Sequence, residues 1–399
     1  MTLALVVICL YTSVLPVLRN SLRTYLGVSQ AQYGAMFGVG LFVGIAGALL
    51  AGALVDRWRP RPVIHLCLLG VAAAFAMIGL AGRRWVVIAL ALGLSAFFMR
   101  PLHIAVSAYL IRLFPQRRRR VLSLNLVSQS GSGLVFPLAA EGLLWLSVGA
   151  GVISFAAALH GPFLVLAMVL AGGSLLYRRR AGLGGAVSAT SRWTWRGLLV
   201  PRRVLVPLLL MTLHGAGDGV LYLWMPYYLE RGGFTDRPFP PGVVMSGYAV
   251  AYLLSRAGLA MVKESWGTRS LLVLPGMLGG VALIAGILSR DYALTAAGYV
   301  VGAFFWSVEY PAIWSALSAL VPERFGAAMA WHAMASDLAM AAGVFLVGAL
   351  TTAWGEAQMW RVMLLPAALF PCFGVGALLW ICMGGRAGMP PDKPVRASG

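Results

Sequence analysis

Seven ionisable side chains lie near the middle of long apolar stretches of this 399-residue sequence, namely Arg100, His103, His214, Asp218, Glu309, His332 and Asp337. An ionisable group in the centre of a bilayer costs about 3 kcal/mol on insertion scales. Each of these groups should therefore face a charged partner or a water-filled cavity. Residues of these types can bind an ionic solute or pass a proton along a path.

His214 and Asp218 are four residues apart, which puts them on one face of a helix and within contact distance. We therefore expect the carboxylate to hold the imidazole and to favour its protonated form. Burial favours the neutral form of a carboxyl group, so Asp218 or Glu309 could take up a proton. His214, Asp218 and Glu309 are our predicted proton-coupling residues.

Glu309 lies in the segment "WSVEYPAIW", which combines a carboxylate with aromatic side chains. Pro311 has no backbone donor and is predicted to kink this helix. Trp306, Tyr310 and Trp314 supply aromatic surface, which suits a binding wall.

The composition identifies an integral membrane protein, because 60% of the residues are hydrophobic and only 11% are charged. Alternation typical of a β-barrel is absent, so the spans must be helices. Twelve stretches are long enough to cross a bilayer. They are 2–20, 31–55, 62–81, 86–111, 121–144, 152–177, 203–228, 242–262, 269–288, 292–319, 326–351 and 362–383.

The net charge of +19 does not point to nucleic acid, because the cations punctuate the spans and do not form one basic domain. Most of them fall on one side of the predicted membrane, which places both termini in the cytoplasm by the positive-inside rule. Four cysteines lie in apolar segments without a C-x-x-C spacing, which predicts buried thiols and neither disulfides nor zinc. They are Cys9, Cys67, Cys372 and Cys382.

Two halves are predicted from a linker and a repeat. The longest polar break, 178–200, is rich in Gly, Ala, Ser and Arg and separates an N-terminal six-helix bundle (1–177) from a C-terminal one (201–385), with a tail at 386–399. "AFF" and "PQR" in the first half recur as "AFF" and "PER" at an offset of 207 residues, as expected of a duplicated unit.

The stretch "GALVDRWRP" resembles the loop signature of the major facilitator superfamily, G-x-x-x-D-[RK]-x-G-[RK]-[RK], through Gly52, Asp56, Arg57 and Arg61. Arg59 and Pro60 depart from that signature. The resemblance implies an all-α membrane fold of twelve transmembrane helices in two pseudo-symmetric six-helix bundles. It also implies a cytoplasmic gate, in which Asp56 holds a helix N-terminus or an arginine. The gate residues are Gly52, Asp56, Arg57, Arg61 and Arg112.

In this superfamily the first, fourth, seventh and tenth spans line the central cavity. The resemblance therefore implies a substrate site formed by Arg100, His103, Tyr222, Trp306, Glu309, Tyr310 and Trp314. A guanidinium favours a carboxylate or phosphate, and the aromatic rings suit an amphipathic molecule, so we expect an organic anion. Alternatively, Arg100 forms a buried ion pair with Asp218 or Glu309 that only fixes the packing.

Four further ionisable residues are predicted to have no part in this site. His332 and Asp337 are five residues apart, away from a common face, in a span that flanks the cavity in the superfamily. Glu141 and His160 lie near outer ends and are expected to be solvated.

We therefore predict a secondary active transporter that moves a small organic solute, an organic anion, by alternating access and proton coupling. No nucleotide-binding motif, metal-ligand cluster or catalytic triad is apparent, so neither an enzyme nor a cofactor is expected. The expected partners are the solute, protons and the lipid bilayer, and the expected state is a monomer in a bacterial inner membrane. The alternatives are a multidrug efflux antiporter, although only Pro137 matches the G-P-x-x-G-G motif of that class, and a non-transporting sensor or assembly partner with the same fold.

Overall fold

The structure, a computed structural model, describes residues 19–28, 30–57, 60–114, 116–180, 202–262, 268–321 and 325–382. The regular structure in these ranges is helical. The helices are α1 (Arg19–Leu26), α2 (Gln30–Arg57), α3 (Pro60–Leu80), α4 (Trp85–Leu113), α5 (Arg118–Leu144), α6 (Phe155–Arg180), α7 (Leu205–Arg231), α8 (Pro241–Met261), α9 (Thr268–Ser289), α10 (Tyr292–Trp306), α11 (Glu309–Leu320), α12 (Phe325–Trp354) and α13 (Met359–Cys382).

The helices agree closely with the predicted spans from the second to the twelfth, because uninterrupted apolar runs dominate each of them. Most of the first predicted span, 2–20, lies outside the described residues, so the count of twelve stays a prediction. The same holds for the division at 178–200, since 181–201 lie outside the described ranges. Nine helical segments in the described parts are long and apolar enough to cross a membrane.

The tenth predicted span is two helices, α10 and α11, joined by a turn at Ser307 and Val308. Pro311 explains the break, because its ring clashes with the carbonyl four residues earlier, which belongs to Ser307, and it cannot donate a hydrogen bond to that carbonyl. The predicted kink is confirmed, and it lies one turn before the proline. We call residues 306–309 the break.

We call helices α1–α6 the N-half and α7–α13 the C-half; most helices pack mainly within their own half, whereas α5 and α8 pack mainly on each other across the two halves. Close approach of α2 and α4 requires Gly47, where an added Cβ would stand 2.1 Å from the Phe97 carbonyl oxygen. In the C-half, Gly215 and Gly219 let α7 approach Ser336 and Met340 of α12 equally closely. Small residues at helix interfaces serve this purpose in membranes.

The two halves meet along α5 with α8 and along α2 with α12. Arg118 donates to the Ser318 carbonyl at 3.0 Å and Arg119 donates to the Val262 carbonyl at 3.1 Å. These contacts join the start of α5 to the ends of α11 and α8, at what we call the basic end. Charged side chains thus fasten the halves together there.

Two predictions about buried side chains need correction. Cys67 is buried as expected, but Cys372 and Cys382 are exposed, because they lie on the outward face of α13. His160 is buried, not solvated, and its Nδ1 lies 2.8 Å from the Ile78 carbonyl oxygen. A partner on α3 thus offsets the cost of burying this ring.

Candidate functional site

The interior ionisable residues form two groups. The seam group lies between the halves and comprises Arg100, Asp337, His103, His332, Tyr310 and Trp314. The C-half group surrounds the break and comprises His214, Glu309, Asp218, Tyr248, Tyr252 and Arg256.

Arg100 of α4 donates a hydrogen bond to Asp337 Oδ1 of α12 and so joins the two halves. The Arg100 side chain is 31% exposed, whereas that of Asp337 is 2% exposed. The second Asp337 oxygen is buried without a hydrogen-bond partner in the described part of the chain. The ion-pair alternative therefore named the wrong partners, and Asp337, which was expected to lie apart from Arg100, is its partner.

His332 also lies in the seam group, next to two of the predicted site residues, Tyr310 and Trp314. Trp314 Nε1 donates to His332 Nε2 at 2.9 Å, and both side chains are buried. The Tyr310 ring lies 4.7 Å from that of Trp314, and the ring of His103 lies 6.0 Å from it on the side of the N-half. These three rings, residues 310, 314 and 332, form a cluster of edge-to-face and tilted contacts at the seam.

His214 does not pair with Asp218 as predicted. Its Nδ1 lies 2.7 Å from Glu309 Oε2, and both side chains are almost fully buried. The spacing of four does put His214 and Asp218 on one face of α7, but the two side chains turn to different neighbouring helices. The Phe370 and Phe373 rings lie about the imidazole at 6.0 and 6.2 Å.

Glu309 is the first residue of α11 and projects into the C-half core. Its Oε1 is buried with no hydrogen-bond partner among the described side chains and backbone. Gly276 of α9 makes room for it, because a Cβ there would stand 2.6 Å from this oxygen. The carboxylate is thus held by one partner, His214, in an otherwise apolar pocket.

Asp218 of α7 is half-buried and accepts two hydrogen bonds at Oδ1, from the Tyr248 hydroxyl at 2.7 Å and from Trp306 Nε1 at 3.1 Å. Trp306 Nε1 is shared with the Tyr252 hydroxyl at 3.0 Å. Tyr222, one turn after Asp218, is half-buried with its ring 5.4 Å from that of Tyr248. The carboxylate is therefore surrounded by tyrosines.

Trp306 is fully buried and stacks on Phe370 at 4.0 Å. Trp314 is only 2% exposed, so neither tryptophan offers surface to a ligand as part of the predicted binding wall. Of the three aromatic residues in "WSVEYPAIW", only Tyr310 keeps exposed surface in this conformation.

Arg256 of α8 was missed as a site residue by the sequence reasoning. Its Nη1 donates to Ser130 Oγ at 2.9 Å, its Nε donates to the Ser307 carbonyl at 3.4 Å, and its guanidinium lies 4.3 Å from the Tyr252 ring centroid. An arginine in the interior of an apolar span is the sequence signal that could have identified it.

Of the predicted gate, the structure describes the packing of Gly52. An added Cβ there would stand 2.8 Å from Ala330 Cβ and 3.0 Å from the Gly326 carbonyl oxygen, so α2 approaches the start of α12 closely. The side chains of the remaining gate residues lie outside what the structure describes, so the latch stays a prediction. They are Asp56, Arg57, Arg61 and Arg112.

Multiple apolar helices, two packed halves and charged groups buried between and within them define a multi-pass integral membrane protein with the architecture of solute transporters. Residues 1–263 match the family model of the Major Facilitator Superfamily, and the chain belongs to that family. This match confirms the family that the loop signature at Gly52 resembles.

Solved transporters share the fold over nearly the whole chain. The E. coli fucose:proton symporter FucP superposes with a TM-score of 0.71 at 14% identity, covering 95% of this chain and 98% of FucP. FucP in the outward conformation gives a TM-score of 0.73 with the same identity and coverage. The human organic anion transporter MFSD10 gives 0.70 at 17% identity, covering 92% of this chain and 97% of MFSD10.

The relatives found by sequence match only about a third of this chain. The multidrug resistance protein MdtH of Shigella dysenteriae is 29% identical over 121 residues, which is 30% of this chain and 29% of MdtH. MdtH of Shigella flexneri is 29% identical over 133 residues, 33% of each chain. The match thus spans about a third of the length of these relatives.

Proposed function

We propose that the protein is a secondary active transporter that moves a small organic anion by alternating access, coupled to protons. The observation that carries this proposal is the position of Arg100, which bridges the halves through Asp337 while a third of its side chain stays exposed. A cation at the seam is accessible to a solute and senses the separation of the halves.

Arg100 suits an anion for a geometric reason. A guanidinium offers a planar fork of donors that matches a carboxylate or phosphate. Asp337 already satisfies part of that fork with a carboxylate. An anionic group of the solute can therefore take the place of Asp337 and break the bridge between α4 and α12.

The His214–Glu309 pair supports proton coupling. Both groups are buried, and the His214 ring and the Glu309 carboxyl group are hydrogen-bond partners. A proton gained or lost by either group changes the charge of this buried pair, and an uncompensated buried charge costs about 3–5 kcal/mol. Proton occupancy would therefore act on the packing of α7 against α11. Asp218, which contacts the other side of the break through Trp306, is assigned to the same proton path.

The orientation follows from charge. The basic end carries the cations Arg117 to Arg120 at the start of α5, so we assign it to the cytoplasm of a bacterial inner membrane, with both termini on that side. In this orientation the close contact of Gly52 with α12 forms part of the cytoplasmic gate. Two structural neighbours are named as a fucose:proton symporter and an organic anion transporter. The first name is compatible with proton coupling and the second with an organic anion as the solute.

A second candidate function is multidrug efflux. The partial match to MdtH favours it. It differs from the first in substrate, because lipophilic or cationic compounds would not need the guanidinium of Arg100.

Ligand-dependent stability distinguishes these functions. Purified protein is unfolded thermally at two pH values with a panel of organic anions, cations and neutral solutes, alongside Arg100→Ala and the control Arg231→Ala, which removes an exposed cation at a helix end. A ligand at a hundred times its Kd stabilises by about 2.7 kcal/mol.

We expect anions to stabilise the parent and Arg231→Ala but not Arg100→Ala. Stabilisation by cations or lipophilic drugs alone, unchanged in Arg100→Ala, would replace the proposal with efflux. No stabilisation by any solute would favour a non-transporting protein.

A further inference from the structure

Arg256 lies where α8 of the C-half meets α5 of the N-half, and it is almost fully buried. Its side chain makes three different contacts at once: to a serine of the other half, to a backbone carbonyl of the break and to an aromatic ring. A buried guanidinium needs such partners to offset the loss of water. The choice of these partners links two distant parts of the fold.

The contact with the break follows from the sequence. In a continuous helix the Ser307 carbonyl would accept a hydrogen bond from the backbone N–H of residue 311, but that residue is Pro311 and has none. Arg256 Nε supplies a donor to this carbonyl in its place, at 3.4 Å. A side chain from α8 therefore replaces one of the backbone hydrogen bonds that the helix lacks at the break.

The contact with the N-half is made twice. Arg256 Nη1 donates to Ser130 Oγ at 2.9 Å, and the Arg256 carbonyl accepts from Ser123 Oγ at 2.5 Å. The two serines are seven residues apart, two turns along one face of α5. Only the Ser130 bond involves the guanidinium, whereas the Ser123 bond involves the main chain alone.

Both carboxylates of the C-half group are linked to the residues next to Ser307. Trp306 donates to Asp218, and Glu309 pairs with His214. The geometry of the break therefore sets both pairs. A change at the Ser307 carbonyl is one or two residues from each of them.

We propose that Arg256 is a positioning residue that couples the separation of α5 and α8 to the geometry of the break, and through it to the Glu309 and Asp218 carboxylates. This inference rests on the proposed alternating access. When the halves part at the basic end, Arg256 loses Ser130, its guanidinium is free to move, and the Ser307 carbonyl loses its substitute donor. Conversely, a proton bound to Glu309 changes the geometry of the break, and through Arg256 it changes the contact between α5 and α8.

The coupling requires an arginine. Nε and Nη1 donate in two directions from one rigid plane while the face of that plane lies on Tyr252. A lysine ammonium keeps the charge but has a single nitrogen on a flexible stem, and cannot hold both contacts in the same arrangement. Arg256→Lys is therefore the conservative variant. It keeps the positive charge and most of the volume of the side chain, but it should lose the simultaneous contact with Ser130 and the Ser307 carbonyl.

Distances between spin labels measure the separation of the halves. The labels are placed at Leu124→Cys and Leu254→Cys, exposed positions on α5 and α8, in a background with the four native cysteines replaced.

Glu309→Gln mimics the protonated carboxyl. Its effect on the ratio of separated to closed molecules is measured in the parent, in Arg256→Lys, in Ser130→Ala and in the matched control Ser123→Ala.

We expect Glu309→Gln to change this ratio by about fivefold or more in the parent and in Ser123→Ala, a typical size for coupling between sites. In Arg256→Lys and Ser130→Ala the change should fall below about twofold, because the contact that links Glu309 to the separation of the halves is lost, and mutations within one such network are not additive.

An equal effect of Glu309→Gln in the parent, Ser130→Ala and Arg256→Lys would overturn the role of Arg256 and leave proton coupling standing. No effect of Glu309→Gln even in the parent would contradict both the coupling and the proposed proton site. The anion test on Arg100 is independent of either result.

Discussion

Gly276 is the position at which the burial of Glu309 can be tested by adding a single methyl group. A Cβ at this residue of α9 would stand 2.6 Å from Glu309 Oε1 and 2.8 Å from the Phe370 carbonyl oxygen, where ordinary contact begins at 3.4 Å. The backbone oxygen cannot move without shifting α13. The carboxylate must therefore give way, and with it the 2.7 Å contact to His214.

The expected cost has two parts. Overpacking a well-filled interior costs about 1–3 kcal/mol, and replacing a helical glycine by alanine returns about 0.5–1 kcal/mol. Loss of the charged hydrogen bond to His214 adds about 1.5–3 kcal/mol. We therefore expect Gly276→Ala to lower the free energy of unfolding by about 1.5–5.5 kcal/mol, measured by reversible unfolding in mixed micelles.

Gly258→Ala in α8 is the matched control, because nothing lies within 4 Å of an added Cβ there. It should leave stability unchanged or raise it by up to about 1 kcal/mol. The penalty of Gly276→Ala should also shrink in a Glu309→Ala background, where the carboxylate is gone. Equal stability of the two alanine variants, or an unchanged penalty in the Glu309→Ala background, would refute the packing of this carboxylate against α9.

Two further substitutions test the seam and the helix packing. Gly47→Ala should destabilise the N-half by about 2–3 kcal/mol in the same unfolding assay, because its methyl meets the Phe97 backbone oxygen and α2 must move away from α4; a neutral effect would contradict that close approach. Asp337→Asn removes the charge that occupies Arg100, so organic anions should bind about tenfold more tightly in thermal-shift titrations, a gain of about 1.4 kcal/mol. Weaker anion binding in this variant would show that Asp337 orients Arg100 and does not compete for it.

The course of the helices could be predicted from the sequence because hydropathy acts locally. The bounds of α2 to α13 follow from apolar runs, and the break follows from Pro311. These features need no knowledge of which helices are neighbours.

The pairing of the charges could not be predicted in the same way, because it depends on tertiary contacts. Helical spacing correctly put His214 beside Asp218 along α7, but Glu309, 95 residues away, competes for the imidazole. Asp337 looked peripheral because its span was expected to flank the cavity, and the structure brings it to Arg100 across the seam. Partner choice between helices follows from packing, which no spacing within one helix encodes.

The central claim is that an organic anion bound through Arg100 moves together with a proton exchange at Glu309. Liposomes containing the purified protein and a luminal pH indicator are exposed to membrane-impermeant organic anions, chosen as those that stabilise the parent, with equal pH on both sides. The account predicts a change in luminal pH with the parent and with Arg231→Ala, and none with Arg100→Ala or Glu309→Gln. Anion uptake without a pH change, or a pH change that persists in Arg100→Ala, would contradict it.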